Sequence, residues 1–211
     1  MNIYTIHSES HQILFELLQN SLNHPINSRI IGQISKNTDY GSDEVKKFYF
    51  IKILYILEIL TKETKPFLFL DTDIYVFRDF IKDIEKRLSD NDILAQYEKK
   101  QFGLDTICTG IMLIRPNERT KKAFLWVLKN LHRFVSDQSA LNFYLKTHRI
   151  KCAILPKEYY SINYDNGDKV WNGEAVEVTV RNPFLIHLHW TLGMDNRLKL
   201  LAMVKNKIAV Y

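Results

Sequence analysis

Apolar and polar residues follow two rhythms along this chain. Asn2 to His7 alternates residue by residue, as a strand does, and Gln12 to Leu22 then spaces its apolar side chains three and four apart, as a helix does. Ile30 to Ile34 is a short β-branched segment suited to a second strand, followed by Lys36 to Asp43, a polar, turn-rich stretch containing Gly41. Ser42 and Asp43 suit an N-cap for a helix from Val45 to Leu60, although Val45, three residues after Ser42, cannot complete a capping box. Pro66 ends that pattern. Phe67-Leu-Phe-Leu70 is apolar at every position, as a strand covered on both faces requires.

Further along, Ile74 to Phe77 predicts a strand, Phe80 to Leu88 a helix and Ile93 to Tyr97 a strand. Gly110 to Ile114 predicts another strand, Glu118 to Leu131 and Gln138 to Lys146 two helices, and Ile150 to Leu155 a strand closed by Pro156. Tyr159 to Glu177 mixes Asn, Asp, Gly and Tyr without a period and predicts a long functional loop. A strand from Phe184 to Trp190 then leads through Gly193 into a basic helix from Asn196 to Lys205. Strands alternating with helices predict an α/β fold, a mostly parallel central mixed sheet flanked by helices on both faces. No repeat, linker or low-complexity tract divides the chain, so residues 1–211 are expected to form one domain. In such a sheet, ligands bind at the carboxyl ends of the strands.

Composition changes this picture little. With 46% hydrophobic, 25% charged and 12% aromatic residues, the chain has what a packed core needs and is not a disordered segment. The net charge of +5 is scattered, which fits a diphosphate ligand better than nucleic acid, and no nucleic-acid partner is expected. Cys108 and Cys152 lack metal-type spacing and imply neither a disulfide framework nor a zinc knuckle. The start lacks the charged and apolar regions of a signal peptide, no run suits a transmembrane segment, and no Asn-X-Ser/Thr acceptor is present. Together these predict a cytoplasmic protein, with the Golgi lumen open only if a membrane anchor lies outside this sequence.

The chemistry concentrates where the apolar run Phe67 to Leu70 breaks into Asp71-Thr-Asp73 before Ile74-Tyr-Val-Phe77. Two carboxylates at the end of a buried strand suffer desolvation and mutual repulsion unless a cation compensates them. Alternate strand positions share a side, and oxygen ligands suit a hard divalent ion, Mn²⁺ or Mg²⁺, that also grips phosphates. A capping or salt-bridged pair is the plainer alternative. Asp90-Asn-Asp92 repeats the Asp-X-Asp pattern in a polar stretch, where a solvated turn or cap accounts for it. His187 and His189, two apart on a predicted strand, also share a face, and either imidazole can join carboxylates around Mn²⁺, though a packed or hydrogen-bonded histidine needs no metal.

These residues resemble the retaining nucleotide-diphospho-sugar transferases of the GT-A fold. That group includes plant xylosyl- and galactosyl-type enzymes, glycogenin-like proteins and short capsid-glycosylating domains of large viruses. The resemblance runs over most of the chain, through Lys52, Leu70-Asp-Thr-Asp73, Asp79, Thr109-Gly-Ile-Met-Leu-Ile114, Ser136-Asp-Gln-Ser-Ala-Leu-Asn142, Leu155-Pro156 and His187-Leu-His-Trp190 with Gly193 and Lys199. It implies a metal-dependent glycosyltransferase moving a hexosyl or pentosyl group from a UDP-sugar donor to a glycan or glycoprotein acceptor. By the same resemblance Asp73 binds the metal most directly, and Asp71, beside Thr72, is shared between metal and donor. The family has one histidine before an aromatic residue and a glycine. The doubled histidine leaves two candidates, of which His189, nearer Gly193, is favoured.

The resemblance also assigns Lys52, Lys199 and Arg197 to the donor phosphates, although lysines on helices are ordinarily solvated. Thr109 and Gly110 would face the sugar, with strand irregularity as the plain account of the glycine. Asp137 and Gln138 would flank the reacting carbon, Asp137 also suiting an N-cap. Thr5 and His7 would meet base and ribose. Trp190, Tyr159, Tyr160 and Tyr164 are candidates for stacking, as core aromatics also are for burial. The viral members imply further domains in the same polypeptide and, for a viral protein, the host cytoplasm. Two rivals remain open: a nucleotide-sugar-binding module without turnover, and a nucleotidyltransferase, which ordinarily carries a Gly-rich loop after the first strand where Thr5 to Ser10 has no glycine.

Overall fold

The continuous apolar run at 67–70 becomes the middle of the molecule because both its faces find cover. In the computed structural model, which describes residues 1–33, 42–101, 104–167 and 169–208, β3 (Phe67–Leu70) is fully buried. Phe67 and Phe69 pack on one side with Ile53, Ile56, Phe124 and Leu141, while Leu68 and Leu70 pack on the other with Leu18, Ile84 and Leu113. Each such side chain contributes about 1.5–3 kcal/mol when withdrawn from water.

Six strands form the main sheet, in the order β2 (Asn27–Ile31), β1 (Asn2–Ser8), β3, β6 (Leu104–Ile114), β5 (Ile93–Gln101) and β7 (Cys152–Ile154). Only β6 runs against the others, so the sheet is mostly parallel, as its α/β sequence pattern predicts. Helices α2 (Asp43–Lys62), α4 (Glu118–Asn130) and α5 (Asp137–Thr147) cover one face. Helices α1 (Gln12–Ser21) and α3 (Ile81–Leu88) cover the other, together with a second sheet of β4 (Ile74–Val76), β9 (Leu185–His187) and β8 (Tyr159–Ser161). α6 (Asn163–Asn166) is a single turn, and α7 (Met194–Ile208) packs Leu200, Leu201 and Val204 behind the small sheet.

Several boundaries differ from the sequence reading. The second strand begins at Asn27, and most of the predicted turn segment 36–43, with Gly41, lies outside the described residues, as does Ile34. Ser42 does cap α2, accepting a hydrogen bond from the Val45 amide at 3.3 Å. β6 starts at Leu104, six residues before the predicted Gly110. The predicted loop 159–177 opens with β8 and α6, because Tyr159, Tyr160 and Ser161 pair with Leu185, Ile186 and His187. The last strand stops at His187, and the backbone turns left-handed at Trp190, with φ of 62°.

The repeated Asp-X-Asp is architecture, but not the solvated turn that its polar surroundings suggest. Asp90 is exposed and pairs with Lys151, whereas Asp92 is fully buried. Its carboxylate accepts from Arg119 at 2.6 and 2.8 Å, from Asn117 at 2.8 Å and from the Lys151 amide at 3.1 Å.

Candidate active site

Asp71 and Asp73 stand where the chain steps from one sheet to the other. Asp71 ends β3 and donates its amide to Gly110 O at 2.7 Å on β6, while the Asp73 carbonyl accepts the Leu188 amide at 2.7 Å beside β9. β4 runs antiparallel to β9 with Ile74 opposite His187, which brings His187 Nε2 to 3.1 Å from Asp73 Oδ1. Asp71, Asp73 and His187 each offer a ligand atom within 4.8 Å of the others. The distances therefore put His187, and not the favoured His189, beside both carboxylates. His189 instead reaches Glu98 at 3.0 Å and Ser161 at 3.1 Å.

Cys108, His187 and His189 are also close enough to share an ion. The two imidazoles, however, stack with centroids 4.0 Å apart and planes 29° apart. Stacked rings aim their in-plane lone pairs side by side and not at one point, so this second set has the donors of a metal site without its convergence.

Lys52 is not the solvated helix lysine that its type suggests. Its side chain is 2% exposed, with Nζ 2.8 Å from Asp71 Oδ1 and 3.5 Å from Asp137 Oδ2. Burial alone would push the Lys52 ammonium toward neutrality, but the two carboxylates overcome it and hold the charge firmly in place. Asp137 is equally buried, and its cap reading fails: Ser136 is the N-cap of α5, in a capping box with Ser139, leaving Asp137 free to accept from Thr109 Oγ1 at 3.1 Å. Gln138 Oε1 accepts the Thr109 amide at 3.2 Å, and the buried Asn142 fixes α5 by a two-way bond to the Ile107 backbone.

The carboxylates titrate in opposite directions. Burial, reinforced by the neighbouring Asp73 charge, raises Asp71 above the ordinary range despite Lys52. Burial also acts upward on Asp73, but His187, Arg197 and His189 outweigh it and hold that carboxyl far below the usual range. Arg197 Nε stands 3.6 Å from Asp73 Oδ2, charge-paired but beyond hydrogen-bond reach. Burial lowers His187 below an ordinary histidine, and the stacked His189 adds to the effect.

These groups open onto a cavity of about 700 Å³, within the range of small-molecule sites. Among the predicted residues, His7, Lys52, Asp71, Thr72, Asp73, Thr109, Asp137, Gln138, His187, His189, Trp190, Gly193 and Arg197 line it. His7 stacks on Phe15 with centroids 4.4 Å apart and bonds Gln12 at 3.0 Å. Five expected residues place differently. Thr5 is buried and outside the lining, Lys199 is exposed on α7, Gly110 lies under the His187 ring, and Tyr159 and Tyr160 are core side chains bonded to Asp83 and Asp165. Glu98, Lys99 and Cys108 also line the cavity without being singled out in sequence. A usable signal existed for Glu98 and the buried Gln96, which sit two apart on one face of a strand that opens Ile-Leu-Ala.

Residues 12–201 match the family model described as nucleotide-diphospho-sugar transferase. Among curated proteins, the UDP-galactose:fucoside alpha-3-galactosyltransferase of Dictyostelium discoideum is 26% identical over 189 residues, 77% of this chain; the chain spans only 28% of that protein's length. Among solved structures, the glycosyltransferase GlyE of Streptococcus pneumoniae TIGR4 aligns over 88% of this chain and 53% of its own, with TM-score 0.60 and 17% identity. A glycosyltransferase involved in glycosylation of the major capsid of PBCV-1 aligns over 95% and 98%, with TM-score 0.62 and 15% identity. The fold is that of the GT-A glycosyltransferases, and the chain belongs to the nucleotide-diphospho-sugar transferase family.

Proposed function

We propose that this protein is a retaining, metal-dependent glycosyltransferase that moves a sugar from a UDP-sugar to a hydroxyl of a glycan or glycoprotein. The observation that carries the reading is the convergence of Asp71, Asp73 and His187 at the sheet junction, beside Arg197 and the buried Lys52. The name of the Dictyostelium relative supports a uridine diphosphate donor.

A divalent ion, Mn²⁺ or Mg²⁺, fits these residues on two grounds. Octahedral bonds of about 2.0–2.1 Å place adjacent donors roughly 3.0 Å apart, and His187 Nε2 and Asp73 Oδ1 are separated by 3.1 Å. The charged groups of the lining are the carboxylates of Asp71, Asp73, Glu98 and Asp137 against the cations of Lys52, Lys99 and Arg197. An anionic diphosphate entering that excess of carboxylate needs a cation beside it. When bound, the ion would act as a Lewis acid on the leaving diphosphate.

The chain's own groups divide the remaining work. Arg197, at the edge of the cluster, can turn from Asp73 to a phosphate as negative charge develops there. Lys52 spends its charge holding Asp71 and Asp137 in register, so its effect on the donor is indirect. Thr109, Asp137 and Gln138 form one bonded group beside the cavity and would orient the sugar as its anomeric carbon becomes oxocarbenium-like. His7 and Thr72 would meet the nucleoside, with Gly193 allowing the chain to approach the phosphates and Lys199 reaching in from the exposed side of α7. Retention requires attack on the face the diphosphate leaves, or a short-lived covalent species.

The test is a thermal-shift screen of nucleotide sugars with and without Mn²⁺, followed by product detection. A UDP-sugar that raises Tm only with the ion and is hydrolysed or transferred supports the reading. Ion-dependent binding without any turnover would make the protein a nucleotide-sugar-binding module. Full turnover in chelator, or by Asp73→Ala, would overturn the metal-dependent scheme.

A further inference from the structure

Gln96 is fully buried where the two central strands part. Ala95 of β5 pairs with Met112 of β6, but Gln96 pairs with Cys108, so residues 109–111 slip out of the ladder. Irregularities of this kind re-aim side chains, and the His187 ring lies in the space that results, against Gly110. Gln96 Nε2 donates to Tyr159 O at 2.9 Å and Tyr160 O at 3.0 Å, which uses both amide hydrogens. Two carbonyls can only accept, so the carboxamide cannot be reversed, and its Oε1 is the atom 2.8 Å from His187 Nδ1. An amide oxygen also only accepts. Nδ1 must therefore carry hydrogen, with Cys108 Sγ a weaker neighbour at 3.7 Å.

In a neutral imidazole with hydrogen on Nδ1, Nε2 has a bare lone pair, and this atom faces Asp73 Oδ1 at 3.1 Å. Two acceptors at that distance repel unless a proton on Nε2 or a metal cation lies between them. We infer that Gln96 is a positioning residue: it fixes the hydrogen of His187 on Nδ1 and so presents Nε2, with Asp73, to a divalent cation. This rests on reading Asp71, Asp73 and His187 as an ion site. Outer-shell partners of ligating histidines act in this way, and losing one weakens metal affinity about 10- to 100-fold.

Two variants separate positioning from mere packing. Gln96→Leu removes the acceptor and the two donors, whereas Gln96→Glu keeps an acceptor toward Nδ1, replaces the donors to Tyr159 and Tyr160 with a second oxygen and adds an ionisable carboxyl. Mn²⁺ titrations followed by EPR should show at least a tenfold weaker Kd for Gln96→Leu and a Kd within about threefold of wild type for Gln96→Glu. Nitrogen-15 NMR of the metal-free wild type at pH 8 should find the His187 hydrogen on Nδ1. Wild-type affinity in Gln96→Leu, equal loss in both variants, or a hydrogen on Nε2 alone would overturn the inference. If neither variant folds, the wild-type NMR result decides. An Asp73→Asn variant that binds Mn²⁺ as tightly as wild type would instead sink the ion site itself.

Discussion

The imidazole of His187 occupies the space that a side chain on Gly110 would fill: a Cβ there would stand 2.1 Å from Cε1, 2.7 Å from Nε2 and 2.9 Å from Nδ1. The absence of a side chain at Gly110 is what gives the histidine ring its place. Because the neighbour is a fully buried ring bonded to Gln96, it cannot swing aside freely. Gly110→Ala should cost about 1–3 kcal/mol in urea unfolding, as overpacking does. It should also weaken Mn²⁺ binding more than tenfold in an EPR titration, the cost of losing a ligand's support. Unchanged affinity would mean that the ring position is irrelevant to the ion.

Asp71 should trade stability for function. Burial and the Asp73 charge raise its carboxyl above the ordinary range, so the folded protein holds that proton to higher pH than the unfolded chain does. The stability it contributes is present while it is protonated and is lost as pH rises through the folded value. Asp71→Asn should therefore raise the Tm of the metal-free protein at pH 7 while abolishing any gain in Tm from Mn²⁺. A variant less stable than wild type would show that the Lys52 pair outweighs desolvation.

The sequence carries the strand under this site more clearly than the site itself. Phe67 to Leu70 is legible because burial on two faces leaves no polar position, and the break at Asp71 is as visible as the run. His187 and His189 cannot be ranked from sequence, since both lie on the same side of one segment. What separates them is the pairing of Ile74 with His187, a contact between residues more than a hundred positions apart. β8 escapes the pattern because three residues are too few to show a period. Lys52 and Asp137 are misread by default rules about lysines and helix starts, which hold for surfaces and not for a buried pair.

Removing Lys52 should be costly because it takes the cation from the buried Asp137 and the partly buried Asp71. Lys52→Met keeps the volume and loses the charge, and a broken buried pair typically costs about 3–5 kcal/mol. Adding Asp71→Asn to Lys52→Met should recover part of that loss, since the double variant buries one charge fewer. Urea unfolding of the four proteins in this cycle measures the coupling directly. Strict additivity would mean that the 2.8 Å contact between Lys52 and Asp71 contributes nothing.

Asp92 supplies the contrast between a structural Asp-X-Asp and the one proposed to hold an ion. Burial pushes its carboxyl up, but Arg119, the Lys151 amide and Asn117 win and bring it from the ordinary 3.8 down to about 2. A depressed carboxyl contributes stability above its unfolded pKa and loses it as pH falls through the folded one. That difference is worth about 2 kcal/mol at neutral pH, lost between roughly pH 4 and pH 2. Asp92→Asn should therefore lower unfolding stability by about 2 kcal/mol at pH 7, with the penalty fading toward pH 2. Its activity per folded molecule should match wild type, while Asp73→Asn should lose activity at any pH. Equal inactivation by both would mean that the buried network at Asp92 shapes the site after all.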